Sequence, residues 1–280
     1  MTGERQAQGM DAAPTWYTWA ITTSANYHGE QAEEARELAK RWSVPFLSRD
    51  RWNLQEIRHM LGVDYLLVLD RNRKLSVEEP LVLRWHPSMA IPRLRQLARG
   101  ETDTFLSAVK LLPGDTVLDC TLGFGADALL ASLSVGETGR ILGLEASPLL
   151  ALLTEYGLGK EAAVYESAEK PMKAISSRIK VCCCEAGAFL KTQSNNSWDV
   201  VYLDPMFRNV KEHTTDMNLM RPLTWDEPIH PDLLQEAFRV CKKRVVIKER
   251  RYSPLFAQLQ AQETVRTNYG PVAFGVWEKK

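Results

Sequence analysis

The spacing of apolar residues changes from segment to segment along this chain, and each spacing predicts an element. In "GEQAEEARELAKRWS", Ala32, Ala35, Leu38, Ala39 and Trp42 recur every three or four positions, which gathers them on one face of a helix. "TWAITTS" before it reads as a strand. "NLQEIRHML" reads as a second helix, and "YLLVLDRNRKLSVEE" as two strands joined by the turn "DRNRK". Together these predict a small α/β domain over residues 15–88. The polar segment ahead of it, residues 1–14, lacks the apolar centre of a leader and reads as a frayed tail. "HPSMAIP", with its two prolines, predicts a linker.

A different rhythm fills residues 89–280. One helix is expected across "PRLRQLARGETDTFLSAVKLL", stopping at "PGD". Strand and helix then alternate: "TVLDC", "ADALLASLS", "RILGLEA", "PLLALLTEYGLG", "IKVCCCE", "AGAFLKT", "DVVYLDP", "PDLLQEAFRVC" and "RVVIKER". Strands separated by helices imply a parallel sheet covered on both faces. Two strand-like runs around "YGP" near the end predict an antiparallel hairpin at the sheet edge. The fold class is therefore α/β and doubly wound, with a second, smaller α/β unit in front.

Composition narrows the function. Of 280 residues, 45% are hydrophobic and 25% charged, and the formal net charge is zero, so any polyanion must be met by a local patch. No apolar run approaches the roughly 20 residues of a membrane helix. Five cysteines form no CxxC pair, and no histidines flank them at zinc spacing. The neighbours Cys182, Cys183 and Cys184 alternate faces of a strand and cannot all hold one ion. They read as small, buried, reduced thiols of a cytoplasmic protein without a metal.

In a doubly wound sheet, ligands bind beyond the carboxyl ends of the strands. The first such end is "VLDCTLGFGAD". Asp119 lies in the strand, Gly123 and Gly125 make the turn, and Ala126 and Asp127 open the helix. Glycines let the backbone approach a ligand closely, and a helix start presents unpaired N–H groups. The pattern G-x-G-x-x-G is incomplete, since Ala128 stands at its third place. The second end, "LGLEASP", carries Glu145 and Ala146. Glu145 comes 20 residues after Gly125, where a carboxylate accepts hydrogen bonds from a ribose diol. Loop and acid together suit a nicotinamide dinucleotide or S-adenosyl-L-methionine. At the third end, Glu185 and the N–H beside it at Ala186 would hold an adenine amino group, or Glu185 would stabilise the next helix start.

The fourth end, "WDVVYLDPMFR", points to the chemistry. Asp204 ends an apolar strand, and Pro205 fixes the next φ. A nicotinamide enzyme has no evident need for this, but an amine methylase does. An exocyclic base amine is a poor nucleophile because its lone pair is delocalised into the ring. A carboxylate and a nearby carbonyl can grip its two N–H bonds and aim the nitrogen at a methyl donor. Asp204 or a water beside it would receive the proton. Phe207 would stack on the extruded base, an interaction worth roughly 1–3 kcal/mol. The plainer readings are a helix cap for Asp204 and a core aromatic for Phe207. Desolvation at the end of so apolar a strand weighs against the first.

At these residues the chain resembles the class I S-adenosylmethionine-dependent methyltransferases, and within them the bacterial 16S ribosomal RNA (guanine-N2) methyltransferase J family. The matching pieces are "DCTLGFGADALLAS", "LEASPLLALL", "VVYLDPMF" and "KRVVIKERRYSPL", between about Gly100 and Leu259. Met206 stands where the general amino-methylase form has a second proline, as in the J family. Ala126 stands where that family tends to carry arginine, and the first 90 residues show no resemblance. The resemblance implies a mostly parallel, seven-stranded, Rossmann-like methyltransferase sheet. It implies cofactor contacts at Asp127, Glu145 and Asp204 around the Gly123 and Gly125 turn, in a cradle that includes Asp119, Ala126, Ala146, Glu185 and Ala186. Asp204, Pro205 and Phe207 are the implied catalytic residues.

The implied partner is ribosomal RNA or the small ribosomal subunit. The densest basic stretch, "RVCKKRVVIKERRYSP", sets Arg239, Lys242, Lys243, Arg244, Lys248, Arg250 and Arg251 against Glu249, with Tyr252 adjacent. Lys248, Arg250 and Arg251 fall at a strand's carboxyl end and are expected to contact RNA, with Arg208 and Lys211 beyond "DPMF". Residues 213–225 are expected to close over substrate. Other readings stay open: a protein or small-molecule amine as acceptor, a nicotinamide-dependent oxidoreductase, or a non-catalytic RNA-binding protein.

Overall fold

The computed structural model describes residues 17–25, 29–87, 89–165, 171–205, 219–224, 229–266 and 270–280. In the first block, β1 (Trp19–Thr23) lies parallel to β2 (Tyr65–Leu69). The chain turns back into β3 (Leu75–Glu79), antiparallel to β2, and the short β4 (Leu83–Arg84) closes a four-stranded sheet. Helices α1 (Glu30–Arg41) and α2 (Leu54–Leu61) connect β1 to β2. Ala32, Ala35 and Ala39 are the buried face of α1, as their spacing predicts. Asn53 and Glu56 start α2 by bonding each other's backbone N–H.

The single helix expected from Pro92 to Leu112 is instead two, α3 (Ala90–Ala98) and α4 (Thr104–Val109). Gly100, at φ 78°, turns the chain out of the first. Asp103 starts the second by accepting the Leu106 N–H.

The remaining strands form one seven-stranded sheet: β5 (Thr116–Asp119), β6 (Arg140–Glu145), β7 (Ile179–Cys183), β8 (Trp198–Leu203), β9 (Cys241–Arg250), β10 (Glu263–Arg266) and β11 (Val272–Glu278). Their spatial order is β10-β11-β9-β8-β5-β6-β7. Strands β5 to β9 are parallel, and β11 is antiparallel to both β9 and β10. This is the doubly wound sheet with an antiparallel closing hairpin that the alternation predicts. The crossovers are α5 (Ala126–Val135), α6 (Pro148–Tyr156), α7 (Met172–Ser176), α8 (Ala186–Thr192) and α9 (Pro231–Val240). The short α10 (Leu255–Gln258) precedes the hairpin. From β5 the chain winds outward through β6 and β7, then returns to place β8 on the other side of β5. That reversal opens a crevice at the carboxyl ends of β5 and β8.

Three apolar layers hold the site. One lies between the sheet and α3–α5 and includes Trp85, Phe105, Leu129 and Tyr202. On the opposite face, Cys120, Cys182, Cys184, Phe189 and Val240 fill the second. The third joins the two sheets: Tyr17, Trp19, Ile21, Leu67 and Val77 pack on Leu149, Leu150, Leu153 and Tyr156 of α6. The first block thus buries its apolar face against the helix that follows Glu145. Trp85 ties it further, lying so close to Gly157 that a Cβ there would come within 2.1 Å of the ring. Its indole N–H donates to the Phe124 carbonyl at 3.0 Å, inside the glycine turn. Among the described residues, no helix is long and apolar enough to cross a membrane.

Candidate active site

The crevice is built from four strand ends. After β5 the chain passes through Gly123, φ 52°, and Gly125, φ 77°, both in the left-handed region that glycine adopts without strain. Glu145, ending β6, accepts the Gly123 N–H at 3.0 Å and the Ser147 N–H at 2.9 Å, one on each oxygen. The acid therefore fixes the turn as well as facing it. Burial pushes its carboxyl up to about 7, against the opposing pull of the Ser147, Gly123 and Ala146 N–H groups. Two carboxylate oxygens offer about four acceptor positions. Two of these are filled by the Gly123 and Ser147 N–H groups, and the two hydroxyls of a ribose would suit the other two. The donor set thus fits an adenosyl cofactor.

Ser147 caps α6, and its hydroxyl lies 2.6 Å from that of Tyr17, which also accepts the Leu149 N–H. The first block so reaches within two residues of Glu145. Glu185 ends the β7 region as the cap of α8, accepting the Gly187 and Ala188 N–H groups. The structure shows the helix-stabilising alternative for this acid. Ala126 and Ala186 are the first residues of α5 and α8.

Asp204 follows β8, beside the end of β5, and its backbone N–H donates to Thr121 Oγ1. Its carboxylate belongs to a cluster of four acids and two bases. Lys248, level with it on neighbouring β9, places Nζ 2.6 Å from Asp204 Oδ2 and 3.3 Å from Asp127 Oδ2. Asp127 Oδ2 also accepts the Tyr202 hydroxyl at 2.7 Å, and its Oδ1 accepts from Arg93. Arg93 in turn bonds both oxygens of Asp103, at 2.8 and 3.0 Å. Asp119 stands behind them, accepting the Thr121 N–H.

These acids divide by environment. Burial works against the charge on Asp127, but Lys248 and Arg93 hold its carboxyl well below the usual range. Burial pushes Asp119 up to about 8, and the charges of Asp127 and Asp204 add to the rise, so it stays largely protonated at neutral pH. Asp204 is raised by burial, and Lys248 opposes the rise. Lys248 pays a desolvation cost, yet the two acids raise its pKa, so it remains a cation.

Of the residues expected to form the site, the structure brings Asp119, Asp127 and Asp204 together, with Glu145 across the glycine turn. Lys248 was expected on an RNA-binding surface; it points inward instead, because the parallel register sets it beside Asp204. Lys242 and Lys243, at the opposite end of β9, pair with Asp199, and Lys243 also with Asp115. Arg239 bonds the carbonyls of Leu190 and Gln193 at the end of α8. Arg250 and Tyr252 are exposed at the carboxyl end of β9, and the Arg251 guanidinium lies 5.4 Å from the Tyr252 ring centre. Phe207, Arg208 and Lys211 lie outside the described residues, as do 213–218 and 225 of the expected closing segment. Leu223 from that segment is buried in the layer around α6.

Sequence reasoning missed Arg93, Asp103, Thr121, Tyr202 and Tyr17. The first two sit where one continuous helix is expected, and the "GETD" break was the available sign. The others are joined to the site by hydrogen bonds over long sequence separations, Tyr202 to Asp127, Thr121 to Asp204 and Tyr17 to Ser147, which no local pattern announces.

Comparison with known proteins agrees with this geometry. The family described as "Putative SAM-dependent methyltransferase", in which SAM is S-adenosylmethionine, matches residues 40–270. A Bacillus subtilis protein, YpiP, is 32% identical over 256 residues, 90% of this chain and 98% of its own length. Ribosomal RNA small subunit methyltransferase J of Pseudomonas aeruginosa is 30% identical over 251 residues, 87% of this chain and 88% of that protein. The crystal structure of the SAM-dependent methyltransferase NGO1261 from Neisseria gonorrhoeae superposes with a TM-score of 0.61 at 21% identity, covering 92% of this chain and 95% of that one. At that identity the likeness is one of fold. The family match begins at residue 40, inside the first block, where the sequence alone showed no resemblance.

Proposed function

The chain belongs to the S-adenosylmethionine-dependent methyltransferase family, and from that premise we propose that its acceptor is the exocyclic N2 amine of a guanine in small-subunit ribosomal RNA. The cofactor supplies an electrophilic methyl group on a sulfonium. Glu145 and the backbone of the Gly123–Gly125 turn are the residues that would hold it.

The observation that carries the reading is the state of Asp204. Its side chain is 27% exposed in the crevice, and one oxygen is taken by Lys248. Among the described residues, none donates to the other oxygen. That oxygen accepts one N–H of the acceptor amine, holds the nitrogen in place, and takes its proton for release to water.

The neighbouring charges favour an uncharged acceptor. An aliphatic amine, with a pKa near roughly 10.4 in lysine, arrives as a cation. It would meet Lys248 and Arg93 already serving as counter-ions to the acids. A conjugated base amine arrives neutral. This supports a nucleobase over a protein side chain or small alkylamine, and the methyltransferase J name of the Pseudomonas relative supports ribosomal RNA. The exposed Arg250 and Tyr252 suit a phosphate and an unstacked base.

Mass spectrometry of nucleosides from small-subunit RNA tests the reading. Cells lacking the protein should lose one N2-methylguanosine, wild-type protein should restore it, and Asp204→Ala should not while still binding S-adenosylhomocysteine. An unchanged nucleoside profile would refute the guanine assignment.

A further inference from the structure

Lys248 is not one of the residues assigned to the cofactor cradle, and two carboxylates at the crevice hold its ammonium. Strand β9 runs parallel to β8 with Leu203 opposite Ile247, so the next pair in register is Asp204 and Lys248. The lysine is anchored from behind. Asp127 accepts from it at 3.3 Å, and Asp127 is itself fixed by the Tyr202 hydroxyl and by Arg93, which Asp103 grips with both oxygens. Held there, the ammonium makes a second and shorter contact, 2.6 Å to Asp204 Oδ2.

We infer that Lys248 is a positioning residue of the acceptor site, holding one oxygen of Asp204 so that the other is presented, ionised and at a fixed angle, to the amine. The inference rests on the methyltransferase reading of Asp204 for its consequence in catalysis. It does not rest on which amine is methylated. An ordinary buried ion pair would enclose both partners. Here Lys248 is 21% exposed and Asp204 27%, with Asp127 behind them at 9%. The pair is therefore graded from a closed end to an open one, and the open end is the carboxylate.

Among the described residues, the titratable groups facing Asp204 come from five elements. Asp119 ends β5, Asp127 lies on α5, Arg93 on α3, Tyr202 on β8 and Lys248 on β9. Burial and Asp127 disfavour ionised Asp204, while Lys248 and Arg93 favour it. Among the described residues, removing the Lys248 charge leaves the more distant guanidinium of Arg93 against burial and a neighbouring carboxylate. The carboxyl group must then titrate at higher pH.

The test compares wild type, Lys248→Met and Lys248→Arg in the full chain. Aspartate carboxyl carbons are labelled with 13C, and the Asp204 signal is identified by its absence from Asp204→Asn. In Lys248→Met the Asp204 midpoint should rise by about one pH unit, the ordinary scale for losing an adjacent opposite charge. Lys248→Arg should keep the wild-type midpoint. The acid limb of kcat for methyl transfer should follow the same order, with S-adenosylhomocysteine affinity unchanged in all three. If Lys248→Met fails to fold, Lys248→Gln carries the same comparison.

A midpoint that stays in place when the charge is removed overturns the inference, whatever happens to melting temperature. So does an acid limb that ignores a shifted midpoint. If wild type transfers no methyl group to ribosomal RNA, the acceptor assignment fails separately, and the carboxyl titration still decides the role of Lys248.

Discussion

Binding of S-adenosylhomocysteine should expel a proton from Glu145. The residue is 8% exposed, and burial raises its carboxyl from an ordinary 4.5 to about 7. A group at that value is about three-quarters protonated at pH 6.5. Two ribose hydroxyls donate to the ionised form, which has two acceptor positions to spare, and so return the pKa toward its ordinary 4.5. Binding at pH 6.5 should then release about 0.7 of a proton. Titration calorimetry in buffers of different ionisation enthalpy reads that number as a slope.

Without ligand the sign on stability is opposite to that of a salt-bridged acid. The folded state holds the Glu145 proton more tightly than the unfolded chain. Its contribution is fully present below pH 4.5 and is lost as pH rises through about 7, a change on the order of 3 kcal/mol. Glu145→Gln should abolish the buffer slope, flatten this loss and raise the dissociation constant. A wild-type enthalpy independent of buffer at pH 6.5 would refute the reasoning. The same slope in Glu145→Gln would move the proton to another group, with Asp119 the first candidate at about 8.

Three further outcomes follow from single contacts. Arg93→Met leaves Asp103 and Asp127 without their guanidinium and should cost about 3–5 kcal/mol in denaturant unfolding, as broken buried ion pairs do; a loss under about 1 kcal/mol would mean that Lys248 alone suffices for Asp127. Tyr17→Phe keeps the ring but removes the bonds to the Ser147 hydroxyl and the Leu149 N–H, so unfolding free energy should fall by about 1 kcal/mol, while an unchanged value would show those bonds to be slack. Arg250→Glu should weaken RNA binding and reduce the slope of log affinity against log salt by about 1, with S-adenosylhomocysteine affinity unaffected; an unaltered slope would take Arg250 off the RNA path.

The sheet was legible because its strands announce themselves. Parallel strands covered on both faces read as near-continuous apolar runs, and "VVYL" and "RVVI" could be little else at their lengths. The failure at Pro92–Leu112 has a local cause. Leu94, Leu97, Phe105, Ala108 and Val109 keep helical spacing on both sides of Gly100, so the periodicity bridges a break that glycine φ and the Asp103 cap impose. The packing of the first block on α6 was not legible. Leu149, Leu150 and Leu153 look like any buried helix face, and nothing in their spacing says that the partner is a second sheet.

The site was legible to the extent that chemistry sits at strand ends. Glu145 and Asp204 could be found because a carboxylate that terminates an apolar run is costly unless something uses it. Their partners could not, because a charge network is a property of register. Lys248 is 44 residues from Asp204 in sequence, and Arg93 is 34 from Asp127. By sequence, Lys248 belongs to a basic run with Arg250 and Arg251, and that run suggests a surface. In the sheet, alternation puts Lys248 and Arg250 on one face and Glu249 on the other, and position along the strand divides the two bases: Lys248 is paired with Asp204 and Asp127, while Arg250, the last residue of the strand, reaches solvent. An inward charge paired with carboxylates and an outward charge proposed to meet a phosphate, which the sequence merges, are thus separated by one step of two residues along the same strand.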